Sequence, residues 1–240
     1  MTRHDAIDDV DSPGVHLFWA DVEPLSGADE NAVVAMMSPE ERRRQQRFRH
    51  EPSRQCHLVT RRLLRTTLSR LAERNPASWR FGTGPWGRPF LKNPCPKLMD
   101  MDFNVAHSRH KTVLALTFEG RIGVDLEPLQ RRVDHHSVAQ QFFHPTEQAR
   151  LQELDEEQRR LRFLQLWVLK EAWMKADGRG IGAGLSEVIY HFDDAGQPHL
   201  QALPDGDVGR WEIALHQTGD HLLALALQRE DRAPREGDEE

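Results

Sequence analysis

Residues 156–180 read EEQRRLRFLQLWVLKEAWMKADGRG, a pattern that predicts a long helix from about residue 156 to residue 176, ended by glycines. Apolar side chains occur on several sides of its second half, among them Leu164, Val168, Ala172 and Trp173. A helix that is apolar nearly all round is buried by its neighbours. The stretch therefore predicts a core helix with other elements packed around it.

The segments outside this helix repeat one order of elements in both halves of the chain. In the second half, strands are predicted at 122–126, 187–192, 211–216 and 221–227, with short helices near 137–142 and 146–154. In the first half, the pattern predicts a strand at 15–21, a helix starting at the capping box 38–41, a long helix at 53–74, a strand at 78–81, and a hairpin of 101–106 with 111–118. Both halves thus run strand, long helix, strand, hairpin. We expect an α+β fold of two similar pseudo-twofold-related halves, each a small, mostly antiparallel sheet packed on a long helix, with the functional site at the seam.

Composition supports a folded chain with polar ends. The chain has 240 residues, of which 38% are hydrophobic and 29% charged, enough to bury a core. We expect a polar N-terminal tail at 1–14, an N-terminal half at 15–118, a C-terminal half at 119–228 and a polar C-terminal tail at 229–240.

Several classes of protein are disfavoured by composition. The sequence has no apolar run long enough to span a membrane and no apolar segment of a secretory signal near its start. Its two cysteines, Cys56 and Cys95, form no CxxC motif, and the net charge is -6. We therefore expect a cytoplasmic protein that binds neither membrane nor nucleic acid.

Positive charge is concentrated in one window. Nine arginines and one acid lie between residues 42 and 65, which gives this window a net charge of +8. Such a local surface on an acidic chain suits a small polyanionic ligand, although a solvated helix face would show the same pattern.

Two acids and two residues of the long helix are candidates for metal chemistry. Asp125 and Glu127 are two apart on a predicted strand and so point the same way. Glu171 and Lys175 are four apart on the helix and share a face. If Glu171 converges on the strand pair, a divalent cation is the economical partner of the three carboxylates. The alternatives are an exposed strand end and a simple intrahelical ion pair.

Four motifs in this order resemble the signature of the Sfp-type 4'-phosphopantetheinyl transferases. They are GRP (87–89), FNVAHS (103–108), IGVDLE (122–127) and WVLKEAWMKADGRG (167–180), and the likeness extends upstream to SPEERRRQQRF (38–48). The resemblance covers roughly residues 15–228. It implies a pseudo-twofold monomer with the active site between its halves, the 4'-phosphopantetheinyl transferase fold.

The resemblance also implies an activity and a set of residues. The activity is Mg²⁺-dependent transfer of the phosphopantetheine arm of coenzyme A to a serine of an acyl or peptidyl carrier protein, as in fatty-acid, polyketide and nonribosomal-peptide biosynthesis, with release of adenosine 3',5'-bisphosphate. By likeness, the metal ligands are Asp125, Glu127 and Glu171. Glu171 is similar to the base that takes the serine proton, and Lys175 to the residue that neutralises phosphate charge. The residues similar to those that hold coenzyme A phosphates are Arg44, Arg61, Arg88 and His107.

One departure from the family pattern keeps an alternative open. Ala106 stands where the family usually has a serine before the histidine, so one hydrogen bond to the ligand is missing. We expect a cost of about 1 kcal/mol rather than inactivity. The alternatives are a non-catalytic module that binds coenzyme A or a carrier, and a metal-dependent phosphodiesterase using the same carboxylates.

Overall fold

A computed structural model describes residues 7–8, 14–108, 110–180 and 184–229 of the chain. The elements of the first half are β1 (Ile7–Asp8), β2 (Val15–Asp21), α1 (Gly27–Met36), α2 (Pro39–Gln46), α3 (Glu51–Ala72), β3 (Phe81–Thr83), β4 (Pro89–Leu91), β5 (Asp102–His107) and β6 (Lys111–Thr117). Those of the second half are β7 (Gly120–Pro128), α4 (His135–Phe142), α5 (Pro145–Gln152), α6 (Glu156–Asp177), β8 (Ile189–Phe192), β9 (Pro198–Ala202), β10 (Trp211–Thr218) and β11 (His221–Arg229).

Two antiparallel sheets form the centre of the protein. The first has the strand order β1-β2-β6-β5 and the second the order β10-β11-β7, and two small hairpins pair β3 with β4 and β8 with β9. Helix α3 packs on the first sheet and α6 on the second. The expected α+β fold of two halves, each a small sheet on a long helix, is confirmed.

Alternation of side chains along the strands arranges these elements in four layers. On β11, Leu222 and Ala224 face α6, whereas Leu223 and Leu225 pack against Leu17 and other residues of the first sheet. The order is therefore α3, first sheet, second sheet, α6. The two halves share the core between the sheets, which joins them as one body.

Side chains of β5 complete the junction between the sheets. Asp102 Oδ2 accepts a hydrogen bond from the backbone N–H of Ile122 at 2.8 Å, and Asn104 Oδ1 accepts one from Val124 at 3.1 Å. Two polar side chains thus take the place of a backbone ladder between β5 and β7. As a result, the end of β5 that carries His107 lies beside the strand that carries Asp125.

Local sequence rules explain where the main helices begin and end. The Ser38 hydroxyl and the Glu41 carboxylate form the predicted capping box at the start of α2. Helix α6 ends at Gly178, whose φ of +81° is a left-handed conformation that favours glycine.

Several stretches differ from the sequence expectations, among them β4 and β9, which were not predicted. The strand predicted at 78–81 is wrong, because Pro76–Ser78 is a 3-10 helix and β3 begins only at Phe81, where it can pair with β4. Helix α1 was not predicted. Within the N-terminal stretch expected to be a tail, Ile7–Asp8 pairs with β2, while residues 1–6 and 9–13 lie outside the described residues.

At the other end, Arg229 closes β11, and residues 230–240 of the expected C-terminal tail are not described. Across the described ranges, no helix is both long enough and apolar enough to cross a membrane.

Candidate active site at the junction of the two sheets

A glycine lets β7 lie directly against α6. A Cβ atom at Gly123 would stand 1.9 Å from the backbone oxygen of Ala172 and 2.5 Å from the nitrogen of Ala176, so only glycine fits this approach. Asp125 is two residues further along the strand and faces the same helix. Its Oδ1 accepts a hydrogen bond from Lys175 Nζ at 2.6 Å, and the same ammonium donates to the Val124 carbonyl at 3.1 Å.

Three carboxylates gather at this contact. Asp125 is buried, and Glu127 and Glu171 are half-buried. Burial, followed by the charge of Asp125, raises the pKa of Glu127 to about 7. Burial and Asp125 also raise the pKa of Glu171 above its usual range, although Lys175 opposes the shift. Because the charge of Asp125 contributes to raising the pKa of both glutamates, the three predicted acids share one region of negative charge.

Two cations of the chain balance part of this charge. Lys175 pairs with Asp125, and the guanidinium of Arg131 contacts the Glu127 carboxylate while lying over the Trp167 ring at 5.4 Å. In the part of the chain that the structure describes, no group of three or more His, Cys, Asp and Glu side chains is placed to hold a metal ion.

One carboxylate oxygen of the cluster lacks a hydrogen-bond partner among the described residues. Asp125 Oδ2 is buried and has no hydrogen-bond partner among the described residues. A buried carboxylate oxygen without a partner costs free energy unless a proton donor or a cation meets it. The donor set is all oxygen, the type that Mg²⁺ prefers. The unpartnered oxygen and the donor type therefore suit a hard divalent cation, whereas the described side chains do not converge on a single ion position.

A cavity of about 710 Å³ opens beside the junction, between α2, α3 and β5. We call it the arginine cavity, because Arg44 and Arg61 line it together with His107 and Ser108. Its volume is in the range of sites that bind cofactors. Burial and the nearby charge of Lys175 lower the pKa of His107, so this ring is neutral at pH 7.

Glu41 organises the wall of the arginine cavity. Its carboxylate accepts hydrogen bonds from Arg61 Nη1 at 3.3 Å and from the Nη2 of the fully buried Arg65 at 2.5 Å. Burial raises the pKa of Glu41, but the Ser38 backbone N–H and the two arginines lower it by more, so the group is ionised. Glu41 thus holds Arg61 in the wall as its counter-ion.

Arg88 lies apart from the arginines of that wall. It lines a cavity of about 280 Å³, which we call the lysine cavity because Lys175 lines it too. The Arg88 guanidinium contacts the Asp102 carboxylate, the Ile122 carbonyl at 2.8 Å and the carbonyl of Lys175. Gly87, Pro89 and Val105 line both cavities, so the two cavities adjoin.

Comparison with known proteins shows which family the chain belongs to. A family model described as the 4'-phosphopantetheinyl transferase superfamily matches residues 121–226, and one described as the N-terminal part of a 4'-phosphopantetheinyl transferase matches residues 25–119. The chain belongs to the 4'-phosphopantetheinyl transferase superfamily. It is therefore an enzyme of the transferase class.

Individual relatives span most of this transferase. A provisionally named 4'-phosphopantetheinyl transferase of Synechocystis sp. is 37% identical over 186 residues, which is 75% of this chain and 72% of that one. A 4'-phosphopantetheinyl transferase of Bacillus subtilis is 33% identical over 76% of this chain and 78% of its own length. The Bacillus subtilis transferase named Sfp is 29% identical over the same shares of the two chains.

Ala106, which stands where the family resemblance predicts a serine, has apolar surroundings in the structure. Ala106 is buried in the core between the two sheets. Ser108 lines the arginine cavity, but its Oγ is 2.8 Å from His221 Nε2 and accepts a hydrogen bond from the Lys111 N–H. The Ser108 hydroxyl is thus part of a link between the halves.

Sequence reasoning missed His57 and the junction residues Asp102, Asn104 and His221. His57 lines the arginine cavity and precedes Arg61 by four residues on α3, a spacing that places both on one helix face. That spacing was the available signal for His57. The contacts of the other three join residues about 20 or more positions apart, which local patterns do not reveal.

Proposed function

We propose that this transferase moves the 4'-phosphopantetheine arm of coenzyme A to a serine hydroxyl of an apo acyl or peptidyl carrier protein and releases adenosine 3',5'-bisphosphate. The observation that carries the proposal is the adjacency of an arginine-lined cavity and a buried carboxylate cluster at the junction of the two halves. The relatives are themselves named as 4'-phosphopantetheinyl transferases.

In this proposal the arginine cavity binds the phosphates of coenzyme A. Arg44 and Arg61 supply charge and bidentate donors, and His107 supplies a ring nitrogen at the end of β5. Arg88 contributes positive charge where the two cavities adjoin, and its contact with the Lys175 carbonyl positions the end of α6.

Asp125, Glu127 and Glu171 would hold a Mg²⁺ ion. The fit rests on the unpartnered Asp125 oxygen and on the raised pKa values of the two glutamates. When bound, the ion would supply electrostatic stabilisation to the pyrophosphate oxygens, on which charge grows during the reaction.

The residues of the chain account for the proton and the leaving group. The carrier serine Oγ forms a bond to the β-phosphorus of coenzyme A, and the bond from that phosphorus to the bridging oxygen breaks. The electron pair leaves with adenosine 3',5'-bisphosphate, while Glu171 takes the serine proton. A carboxylate whose pKa is raised is a better base at pH 7 than an ordinary glutamate. Lys175 offers its ammonium to the charge on the departing phosphate.

The reaction needs only one copy of the chain, because both walls of the site come from its own two halves. We therefore propose a monomer. We also propose a cytoplasmic location, since a reducing compartment suits the free thiols Cys56 and Cys95.

The test is the intact mass of a carrier protein. Apo acyl and peptidyl carriers are incubated with the transferase, coenzyme A and Mg²⁺, and we expect a gain equal to one phosphopantetheine group. A carrier with its acceptor serine changed to alanine is the control and stays unmodified.

Two alternatives would give different results. A non-catalytic module, favoured by Ala106, would bind coenzyme A in calorimetry and modify no carrier. A phosphodiesterase would release phosphopantetheine in a reaction without carrier. Either result contradicts the proposed transfer.

A further inference from the structure

A histidine in the wall of the arginine cavity has no part in the scheme above. His57 lies on α3, and its Nε2 is buried without a hydrogen-bond partner among the residues the structure describes. One helical turn along the same face, Arg61 also lines the cavity, and its Nε likewise lacks a partner within the described ranges. Two buried nitrogens without partners therefore adjoin one cavity.

The surroundings of His57 are positively charged. Its ring packs against Phe48, with ring centroids 5.2 Å apart. The charged and titratable groups around it come from three elements: Glu41 and Arg44 from α2, Arg61 from its own helix, and His107 across the cavity from β5. Burial, then Arg61 and Arg44, lower the pKa of His57 to about 4. The imidazole is thus neutral at pH 7 in the free protein.

A neutral ring in this place is poorly matched to a polyanion. The ring's hydrogen bond to the Glu41 backbone uses Nδ1, because Nε2 has no partner among the described residues, so the neutral ring carries its proton on Nδ1 and a lone pair on Nε2. That lone pair repels a phosphate oxygen, whereas a protonated Nε2 donates a charge-assisted hydrogen bond to it. The anion also offsets the repulsion by Arg61 and Arg44 that keeps the proton away. Binding of a phosphate and protonation of this ring therefore favour each other.

We propose that His57 is a proton-coupled phosphate ligand: it takes one proton from solvent when a phosphate of the substrate enters the arginine cavity, and then donates a hydrogen bond from Nε2 to that phosphate. The inference rests on the proposed function, which makes coenzyme A the polyphosphate that enters. No other bond forms or breaks in the step.

The expected consequence is a pH-dependent affinity. Between the pKa of the free ring and its higher pKa in the complex, affinity for coenzyme A rises as the pH falls, by up to about tenfold per pH unit. Replacing His57 by glutamine keeps an amide donor at the site but removes the proton uptake and this part of the pH dependence.

Calorimetry of coenzyme A binding, without carrier, tests the inference. The titration is run at pH 6.5 in buffers of different ionisation enthalpy and repeated at pH 8 for wild type, His57→Gln and His50→Gln. His50 is exposed just before α3 and serves as the matched control. Phosphates of the ligand also titrate in this range, so the difference between variants isolates the ring.

We expect wild type and His50→Gln to take up about one proton more per bound coenzyme A at pH 6.5 than His57→Gln does. Equal proton uptake and equal pH dependence in all three proteins would overturn the inference and leave the transferase activity untouched. Absence of any coenzyme A binding would overturn the proposed function and this inference together.

A measurement on wild-type protein guards against a variant that fails to fold. Histidine ring resonances are followed by NMR against pH with and without coenzyme A. One histidine that titrates near pH 4 in the free protein and near or above pH 7 in the complex supports the inference. If no histidine shows such a rise, the inference is wrong.

Discussion

Charged side chains at the junction differ in whether the chain itself supplies their partners. The terminal nitrogens of the buried Arg65 donate hydrogen bonds to Glu41 and to the carbonyls of Pro76 and Trp79, and only its Nε lacks a partner among the described residues. Asp125 accepts a hydrogen bond on Oδ1 but has no partner for Oδ2 among the described residues. The Nε2 of His57 likewise has no hydrogen-bond partner among them. Burial without a partner is costly, so we propose that a ligand supplies the missing partner of these two side chains.

His57 should make the free protein sensitive to acid. Its pKa is about 4 in the folded protein, below the ordinary value of 6.5 expected when unfolded. As the pH falls below 6.5, the unfolded chain takes up the proton first, so stability is lost progressively until the pH reaches about 4.

The check is the melting temperature between pH 7.5 and 4.5. The fall for wild type should exceed that for His57→Gln by a few degrees, roughly the effect of 1–2 kcal/mol in a protein of this size. The exposed His50→Gln should follow wild type. A fall of equal size in all three proteins would contradict the shifted pKa.

At the scale of elements, local rules predict the helices and strands whose ends and buried faces are determined by residues close by in the sequence. The capping box starts α2, the glycine at 178 ends α6, and apolar spacing marks both long helices. Strand β3 forms only by pairing with β4, so its place depends on a turn that the sequence does not specify.

The partners of charged residues on α6 were beyond local rules. Lys170, Glu171 and Lys175 occur within six positions of one helix, and the sequence does not say which is buried. The structure buries Lys170 completely, where its ammonium is 2.9 Å from Glu147 and also bonds the Leu185 carbonyl. Likewise, the sequence placed Asp125 and Lys175 in one site but did not identify Arg131 or Glu41 as counter-ions.

Gly123→Ala should separate β7 from α6. The new Cβ would overlap the Ala172 carbonyl, at 1.9 Å, and backbone atoms cannot move aside easily. We expect a loss of at least about 2 kcal/mol in the free energy of unfolding, measured by urea denaturation. The transfer rate should fall with it, because Asp125 moves away from Lys175. Wild-type stability in this variant would show that the close approach is absent.

At the scale of the whole molecule, a few side chains hold the halves at fixed separation. Arg88 joins Asp102 of the first half to the carbonyls of Ile122 and Lys175 in the second. Ser108 and His221 make a second link, 2.8 Å long. Since the arginine cavity and the lysine cavity adjoin at this junction, the geometry of the candidate site depends on these links.

Arg88→Lys separates the structural role of Arg88 from its charge. Lysine keeps the positive charge but cannot reach three acceptors in one plane, so we expect a loss of about 2 kcal/mol and a melting temperature lower by several degrees. The control is Arg43→Lys, whose ion pair with Glu40 is exposed and worth little. If the melting temperature of Arg88→Lys equals that of wild type, Arg88 does not stabilise the junction, and only its proposed role in phosphate binding remains.

The most direct test of the whole account is the initial rate of mass gain of an apo carrier, measured against Mg²⁺ concentration for Asp125→Asn and Glu171→Gln. The control is Glu157→Gln, an exposed glutamate in the first turn of the same helix. We expect both site variants to lose about a hundredfold or more in rate at saturating coenzyme A, and Asp125→Asn to need more Mg²⁺, with the control unchanged. Wild-type rates and Mg²⁺ dependence in both site variants would contradict the assignment of these acids to the reaction.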